Sequence, residues 1–282
     1  MAKKILFYLG SGDYPNPFDC LLAYDNGYDN VINYFNVDEE KALNIVQNIV
    51  FARSKENIKN TVLFVGGSNT ELAKKSYKSI KMFLLTSKVP QVSVVFDPNG
   101  IYTTTAAILI KMKRKVKDIA GQNVVIFGGT GSIGQCIAGV LAEHNAHVEI
   151  CSRNRDKLNG VLSSINSKNV TGFVTQCVED MYNASRKKDI IITSGPPGVT
   201  MLKKKIIEKL SPKIIIDISA IKPLGIENFN TDKDLKEIRK KVTCIIGEEI
   251  GVLKNNIERK ILKEVLKEPV FYERKDILAL AK

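Results

Sequence analysis

Short apolar runs bounded by turn residues alternate with longer, periodic stretches from one end of the chain to the other. Ile5–Leu9, Val31–Phe35, Val62–Val65 and Val92–Phe96 have the length and β-branched, aromatic character of strands. Between them, stretches of helical period begin near Pro17, Asp38 and Ser68. Asp38 followed by Glu39-Glu40 sets carboxylates against the unpaired amides of a first turn, which marks a helix start. Asp97-Pro98-Asn99-Gly100 is a turn at a strand end. From Thr103 an apolar, then lysine-rich, helix runs to about Ile119. Beyond it the strands are Val124–Phe127, Val148–Cys151, Ile190–Thr193, Ile214–Ile218 and Cys244–Ile246, followed by a long helix over Glu248–Lys267 and a tail from Phe271.

This alternation is that of an α/β chain with parallel sheets. It predicts a Rossmann-type nucleotide domain plus a smaller α/β N-terminal substrate domain, joined by two helices around a cleft. With the junction near Lys117–Gln122, residues 1–118 form the substrate domain and 119–250 the nucleotide domain. Residues 251–282 form a connecting helix and a tail returning to the first domain. No apolar run approaches the roughly 20 residues of a membrane-spanning helix. Lys3-Lys4 and Ile5–Leu9 are too short for a signal peptide, and Gly10-Ser11-Gly12-Asp13 follows at once.

The chemistry is concentrated after the strand Asn123–Phe127, where Gly128-Gly129-Thr130-Gly131-Ser132-Ile133-Gly134 opens a helix. Glycine allows the tight turn, lets backbone amides reach a pyrophosphate, and permits close packing of helix on strand. Strand, helix and a second strand follow in the order a dinucleotide site demands. The second strand ends in Cys151-Ser152-Arg153-Asn154-Arg155-Asp156-Lys157. An NAD enzyme places an acid there for the ribose hydroxyl; here the acid Glu149 lies too early, within the strand. Arg153, with Ser152 and Lys157, suits a 2′-phosphate instead, so the expected cofactor is NADP. Its contacts are expected at Gly129, Thr130, Gly131, Ser132, Ile133 and Gly134, at Ser152, Arg153 and Lys157, and at the strand ends carrying Ser194, Gly195 and Asp217. The glycines also fit the short-chain dehydrogenases, but the only Tyr-x-x-x-Lys pair, Tyr77 and Lys81, lies upstream of the motif rather than downstream.

Composition narrows the chemistry further. Only two histidines occur among 282 residues, His144 and His147, both at the helix-to-strand turn of the nucleotide motif. A histidine triad, a histidine metal site or a histidine base at the substrate is therefore not expected, and no metal site is read. The five cysteines are widely spaced without a C-x-x-C pair, the pattern of reduced thiols in a cytoplasmic protein. The net charge of +12 draws anionic partners. The lysines are spread along the chain without alternating aromatics, and Lys111–Lys117 and Lys203-Lys204-Lys205 read as solvated helix faces rather than as a nucleic-acid track.

A further set of residues runs through the whole chain. Pro17-Phe18-Asp19, Tyr24-Asp25-Asn26-Gly27, Phe64-Val65-Gly66-Gly67, Asp97-x-Asn99-Gly100 and Thr103–Ala107 together resemble the NADP-dependent methylene-tetrahydromethanopterin dehydrogenases of methylotrophic bacteria. So do Pro223-Leu224-Gly225-Ile226, Gly247, Ile250-Gly251, Leu253-Lys254 and Val270-Phe271. The chain departs from that pattern at Glu248-Glu249 and Val252, where a glycine-rich run precedes the lysine. The resemblance implies oxidation of the methylene bridge of a tetrahydropterin one-carbon carrier to methenyl, with NADP taking the hydride; some members accept tetrahydrofolate. It implies Lys254 as the catalytic residue and a carrier held by Phe18, Asp19, Asp97, Asn99 and Thr104. It further implies a cytoplasmic homo-oligomer whose partner is a small molecule, with neither nucleic acid nor membrane. Loss of hydride from an N–CH2–N bridge gives a delocalised cation without loss of a proton, which suits a chain poor in bases. Asp217 and Glu248 join Asp19 and Asp97 as candidate carboxylates for that charge. The rival readings are a shikimate-dehydrogenase-like NADP enzyme and a non-catalytic NADP- or nucleic-acid-binding protein.

Overall fold

The computed structural model describes residues 2–281. Met1 and Lys282, the outer ends of the first and last expected segments, lie outside the described residues. The first nine elements are β1 (Ile5–Gly10), α1 (Pro17–Asp25), β2 (Asn30–Tyr34), α2 (Glu39–Ala52), α3 (Lys55–Ile58), β3 (Thr61–Gly66), α4 (Thr70–Thr86), β4 (Ser93–Phe96) and α5 (Ile101–Lys113). Then come β5 (Asn123–Phe127), α6 (Ser132–Glu143), β6 (His147–Ser152), α7 (Arg155–Ile165), β7 (Val170–Val174), α8 (Val178–Ser185) and β8 (Ile190–Thr193). The chain continues with α9 (Lys204–Ile207), β9 (Ile214–Asp217), α10 (Asp232–Arg239), β10 (Thr243–Ile245), α11 (Gly247–Glu264), β11 (Phe271–Tyr272) and α12 (Arg274–Ala279).

Two compact units result. The first comprises the chain up to Ala106 together with the chain from Lys254 onward, and the second is Ala107–Leu253. The chain leaves the first unit inside α5 and re-enters it inside α11.

In the first unit, five parallel strands take the order β11-β4-β3-β1-β2. β1 and β3 are buried almost throughout, whereas β2 lies at the edge and is half exposed. Asp38 caps α2 by accepting from the Lys41 amide at 2.8 Å, as its sequence context predicts. The C-terminal segment is sewn into the same unit. β11 pairs with β4, the Ser93 hydroxyl donates to the Val265 carbonyl at 2.6 Å, and the Tyr28 hydroxyl donates to that of Leu262 at 2.9 Å. The Tyr77–Lys81 pair serves this purpose too. Its two side chains, one turn apart on α4, both bond the Glu273 carboxylate, at 2.6 and 2.9 Å. Tyr77 is buried against Phe96 rather than lying on an exposed helix face.

In the second unit, six parallel strands take the order β10-β9-β8-β5-β6-β7. Counted from β5, this is the 3-2-1-4-5-6 order of dinucleotide-binding sheets, with the reversal of strand order between β5 and β8. The expected strands are all present, and β7 is an addition. Its sequence, Val-Thr-Gly-Phe-Val, is interrupted by Gly172 and half exposed, so it carries no continuous apolar run. Gly172 is required there: a Cβ would lie 2.8 Å from Leu162 and 2.9 Å from Leu158 of the covering helix α7.

Candidate active site

At the C-terminal end of β5 the backbone turns through Gly128, whose φ of +73° is left-handed and suits glycine alone. The glycines that follow do different jobs. A Cβ on Gly129 would sit 2.6 Å from Ile150, and one on Gly134 would sit 2.7 Å from the Gly129 Cα, so both are needed for α6 to press against the turn. A Cβ on Gly131 would meet nothing nearer than the Gly128 carbonyl at 3.4 Å, an ordinary contact. The protein thus leaves space at Gly131, where α6 begins and the first-turn amides of Ser132, Ile133 and Gly134 have no intrahelical acceptor. A helix start of this kind suits an anion such as a pyrophosphate. Gln135 Nε2 donates to the Thr130 carbonyl at 2.8 Å and steadies the turn.

Ser194 and Gly195 close the other side at the strand-order reversal. A Cβ on Gly128 would lie 2.6 Å from the Ser194 carbonyl oxygen. At the end of β6, the Ser152 hydroxyl donates to the Asn154 carbonyl at 3.1 Å and accepts from the Asn154 amide at 3.2 Å. Asn154 caps α7 by accepting from the Lys157 amide. Arg153, Arg155 and Lys157 are exposed, and Arg153 has no ion pair among the described residues. Glu149 stays within the strand and pairs with Lys188 at 3.4 Å. Asp217 is placed differently from the expectation. It is buried at the end of β9, one oxygen accepting from the Ser219 amide and the other from the Ile226 amide, both at 3.0 Å. It clasps its own loop and offers no free carboxylate to a cofactor.

The first unit holds a second arrangement, built around Lys254 on α11. Its ammonium lies 2.7 Å from Glu258 Oε2 one turn on, and 3.6 Å from Asp19 Oδ1 of α1. Asp97, at the end of β4, accepts from the Tyr102 amide at 2.7 Å and from the Thr103 hydroxyl at 2.6 Å, tying the start of α5 to the sheet. The turn expected at Asp97–Gly100 is present, with Asn99 at φ 54° and Gly100 at φ 63°. A Cβ on Gly100 would lie 2.9 Å from Lys254 Cε, so this glycine admits the lysine side chain.

Asp19, Asp97 and Glu258 are each at most 3% exposed. Burial pushes the Asp97 carboxyl up to about 6, against the pull of Lys254 and the Thr103 and Tyr102 donors. Burial and the Glu258 charge hold Asp19 well above the usual carboxylate range, with Lys254 partly opposing them. Burial alone would depress Lys254. Glu258, Asp19 and Asp97 more than reverse this and hold its ammonium above an ordinary lysine.

The residues read as carrier contacts are therefore not all alike. Phe18 is 67% exposed, its ring outside the core, on a helix whose start is capped by Asn16. Asn99 is exposed in the turn, and Thr104 is buried on α5 beside Thr103. Glu258 was not among the sequence candidates, although its i, i+4 spacing from Lys254 on a helix is a legible signal. Glu248, weighed in its stead, is exposed, and its neighbour Glu249 pairs with Lys111 at 3.0 Å and Arg239 at 2.8 Å. Lys111 is thus no free solvated charge. With Arg114, Lys213 and Arg239 it lines a basic pocket of about 830 Å³ beside the N-terminal ends of β9 and β10, the end of the sheet opposite the glycine turn. Among the described residues no cluster of His, Cys, Asp and Glu has the arrangement of a metal site, and no helix is long and apolar enough to cross a membrane.

Comparison with known proteins finds two family matches on separate stretches of the chain. Residues 17–99 match the family described as methylene-tetrahydromethanopterin dehydrogenase, N-terminal. Residues 123–221 match that described as NADP oxidoreductase, coenzyme F420-dependent. Across 100% of this chain and 98% of the relative, the sequence is 27% identical to the NAD(P)-dependent methylenetetrahydromethanopterin dehydrogenase of Methylorubrum extorquens. It is 29% identical to the bifunctional protein MdtA of the same organism, over 100% of this chain and 99% of that one. Among solved structures, a chorismate mutase/shikimate 5-dehydrogenase fusion protein from Clostridium acetobutylicum superposes with a TM-score of 0.54 at 16% identity, over 100% of this chain and 96% of that one. This last likeness is one of fold. The family resemblance read from the sequence holds along the whole chain.

Proposed function

We propose that this chain, related over its full length to the NAD(P)-dependent methylenetetrahydromethanopterin dehydrogenases, is an NADP-dependent oxidoreductase. It oxidises the methylene bridge of a tetrahydropterin one-carbon carrier, methylene-tetrahydromethanopterin or methylene-tetrahydrofolate, to methenyl. The observation that carries this reading is that full-length relationship, and the geometry supports it at both ends of the chemistry. The space kept at Gly131, the amides opening α6 and Arg153, which has no ion pair among the described residues, fit a phosphorylated dinucleotide. When bound, NADP supplies the hydride acceptor.

The residues have separate duties. Ser132, Ile133 and Gly134 present amides to the pyrophosphate, and Arg153, with Ser152 and Lys157, reads the 2′-phosphate. Lys254, held as an ammonium by its carboxylates, orients the carrier by donating hydrogen bonds and does not act as a base. Phe18 offers a free ring for stacking on a flat pterin and Asn99 an exposed amide, while the buried Asp19, Asp97 and Thr104 shape the carrier site behind them. The buried negative charge beside Lys254 favours the cation that forms when hydride leaves. No disulfide joins two cysteines among the described residues, in keeping with a reducing cytoplasm, and a homo-oligomer is the working assembly in this reading, to be checked by light scattering.

The test is an absorbance assay with NADP and, in parallel, methylene-tetrahydromethanopterin, methylene-tetrahydrofolate and shikimate. NADPH formation with a methylene carrier and none with shikimate is the expected result. Turnover of shikimate alone would overturn the reading.

A further inference from the structure

Three buried carboxylates surround one ammonium in the first unit, and their hydrogen bonds do not balance. Both oxygens of Asp97 are taken by the start of α5. Glu258 gives Oε2 to Lys254 and leaves Oε1, fully buried, with no hydrogen-bond partner among the described residues. Asp19 lies 3.6 Å from the same ammonium, beyond a good hydrogen bond. Fully ionised, Asp19, Asp97 and Glu258 with Lys254 carry two uncompensated negative charges in a place from which water is excluded. Such an arrangement is costly, and a single proton halves the excess.

We propose that Asp19 keeps its proton in the resting protein and directs it at Glu258 Oε1, that binding of a cationic one-carbon carrier releases it, and that Glu258 is the positioning residue that fixes Lys254. This rests on the proposed function, in which the cluster receives the carrier. The groups facing the pair are Tyr8 from β1, Cys20 from α1, Asp97 from the end of β4, and Lys254 from α11. Burial drives the Tyr8 phenol upward, and drives the Cys20 thiol up to about 11, so neither exchanges a proton near neutrality. Asp97 is an anion at neutral pH and Lys254 a cation. The exchangeable proton therefore belongs to Asp19, on which burial and the Glu258 charge act together.

The coupling has a direction. A neutral methylene carrier leaves the proton where it is. A methenyl cation brings one positive charge, the Asp19 carboxylic acid loses its proton to solvent, and the resulting carboxylate faces the cation. Affinity for methenyl carrier then rises about tenfold per pH unit while the acid is protonated, and affinity for the neutral carrier stays flat.

Two measurements on the full-length protein test this. The infrared spectrum at neutral pH should contain the carbonyl band of a buried carboxylic acid, lost on raising the pH and missing in Asp19→Asn. Titration calorimetry with methenyl-tetrahydrofolate, in two buffers of different ionisation heat, should show about one proton released per cation bound, and none with tetrahydrofolate. Glu258→Gln, which keeps an oxygen for Lys254, should retain the carrier KM but lose the pH dependence. Glu258→Ala should raise that KM about tenfold or more, with the KM for NADP unchanged in both. If the variants fail to fold, the acid band of the unaltered protein and its loss with pH still decide. Absence of that band overturns the proposal even if carriers are turned over, and cation binding without proton release overturns the coupling. A band without any carrier turnover removes the proposed function and leaves the buried Asp19 acid standing.

Discussion

Lys254 threads its methylenes past Gly100 and ends among carboxylates, and this explains how a lysine that is 15% exposed at its side chain stays charged. The same crowding sets a pH dependence on stability through Asp97. Its carboxyl is raised from the ordinary value to about 6 by burial, so the folded state binds its proton more tightly than the unfolded chain does. The stabilisation this proton brings is complete below the ordinary carboxylate value and is lost as pH rises through about 6. Asp97→Asn removes the titration while keeping an acceptor for the Tyr102 amide. The Tm of the unaltered protein minus that of the variant should therefore fall by a few degrees between about pH 4.5 and pH 7.5. A constant difference across that range would show that Asp97 does not titrate there. Arg153 poses the opposite case, an exposed cation with no ion pair among the described residues. Charge-assisted bonds to a phosphate are worth roughly 1.5–3 kcal/mol, so Arg153→Ala should raise the KM for NADP at least about tenfold and leave NAD use nearly unchanged. Equal loss with both cofactors would mean that Arg153 does not read the 2′-phosphate.

At the scale of the element, the glycine turn separates packing from binding. Gly134 and Gly129 touch each other across the turn, while a Cβ on Gly131 would make only ordinary contacts, the nearest with the Gly128 carbonyl oxygen at 3.4 Å. Gly134→Val should therefore cost stability, about 1–3 kcal/mol by denaturant unfolding, through overpacking. Gly131→Val should unfold at the same denaturant concentration as the unaltered protein and yet bind no NADP. Normal NADP affinity in that variant would displace the site. This turn was legible because strand, glycines and helix occupy one continuous stretch. What escaped the sequence needed contacts between distant stretches. β7 is hidden by Gly172, a residue that looks like a breaker until the leucines of α7 are seen resting on it. Asp217 reads as a strand-end ligand but bonds the amides of a loop that reaches back to it from Ser219 and Ile226. Glu258 lay outside the expected site because the sequence marks only a long helix there and the lysine of the family resemblance, while the burial of its inner face depends on α1 and the end of β4.

Across the whole molecule, the two histidines are confined to one turn of the second unit. His144 closes α6, with its Nδ1 2.9 Å from the Val140 carbonyl, and His147 opens β6. That turn lies at the N-terminal end of β6, whereas the glycine turn lies at the C-terminal end of the adjacent strand β5. Neither ring is thus within reach of the cofactor turn, and neither belongs to the Lys254 cluster in the first unit. An alcohol oxidation would have to find a base for the hydroxyl proton. Hydride loss from a methylene bridge needs none, because the electrons of the breaking C–H bond leave with the hydrogen and the two nitrogens share the remaining charge. The single-turnover hydride-transfer rate should then lack an ionisation near the ~6.5 of an ordinary histidine. The His144→Gln, His147→Gln double variant should keep most of that rate. Lys254→Ala should weaken carrier binding and slow turnover with the affinity for NADP unaltered, since it acts on the carrier alone. A double-histidine variant that folds and binds NADP, yet transfers hydride about a thousandfold more slowly, would sink the base-free mechanism, because a loss of some 4 kcal/mol is of the size that removal of a general base produces.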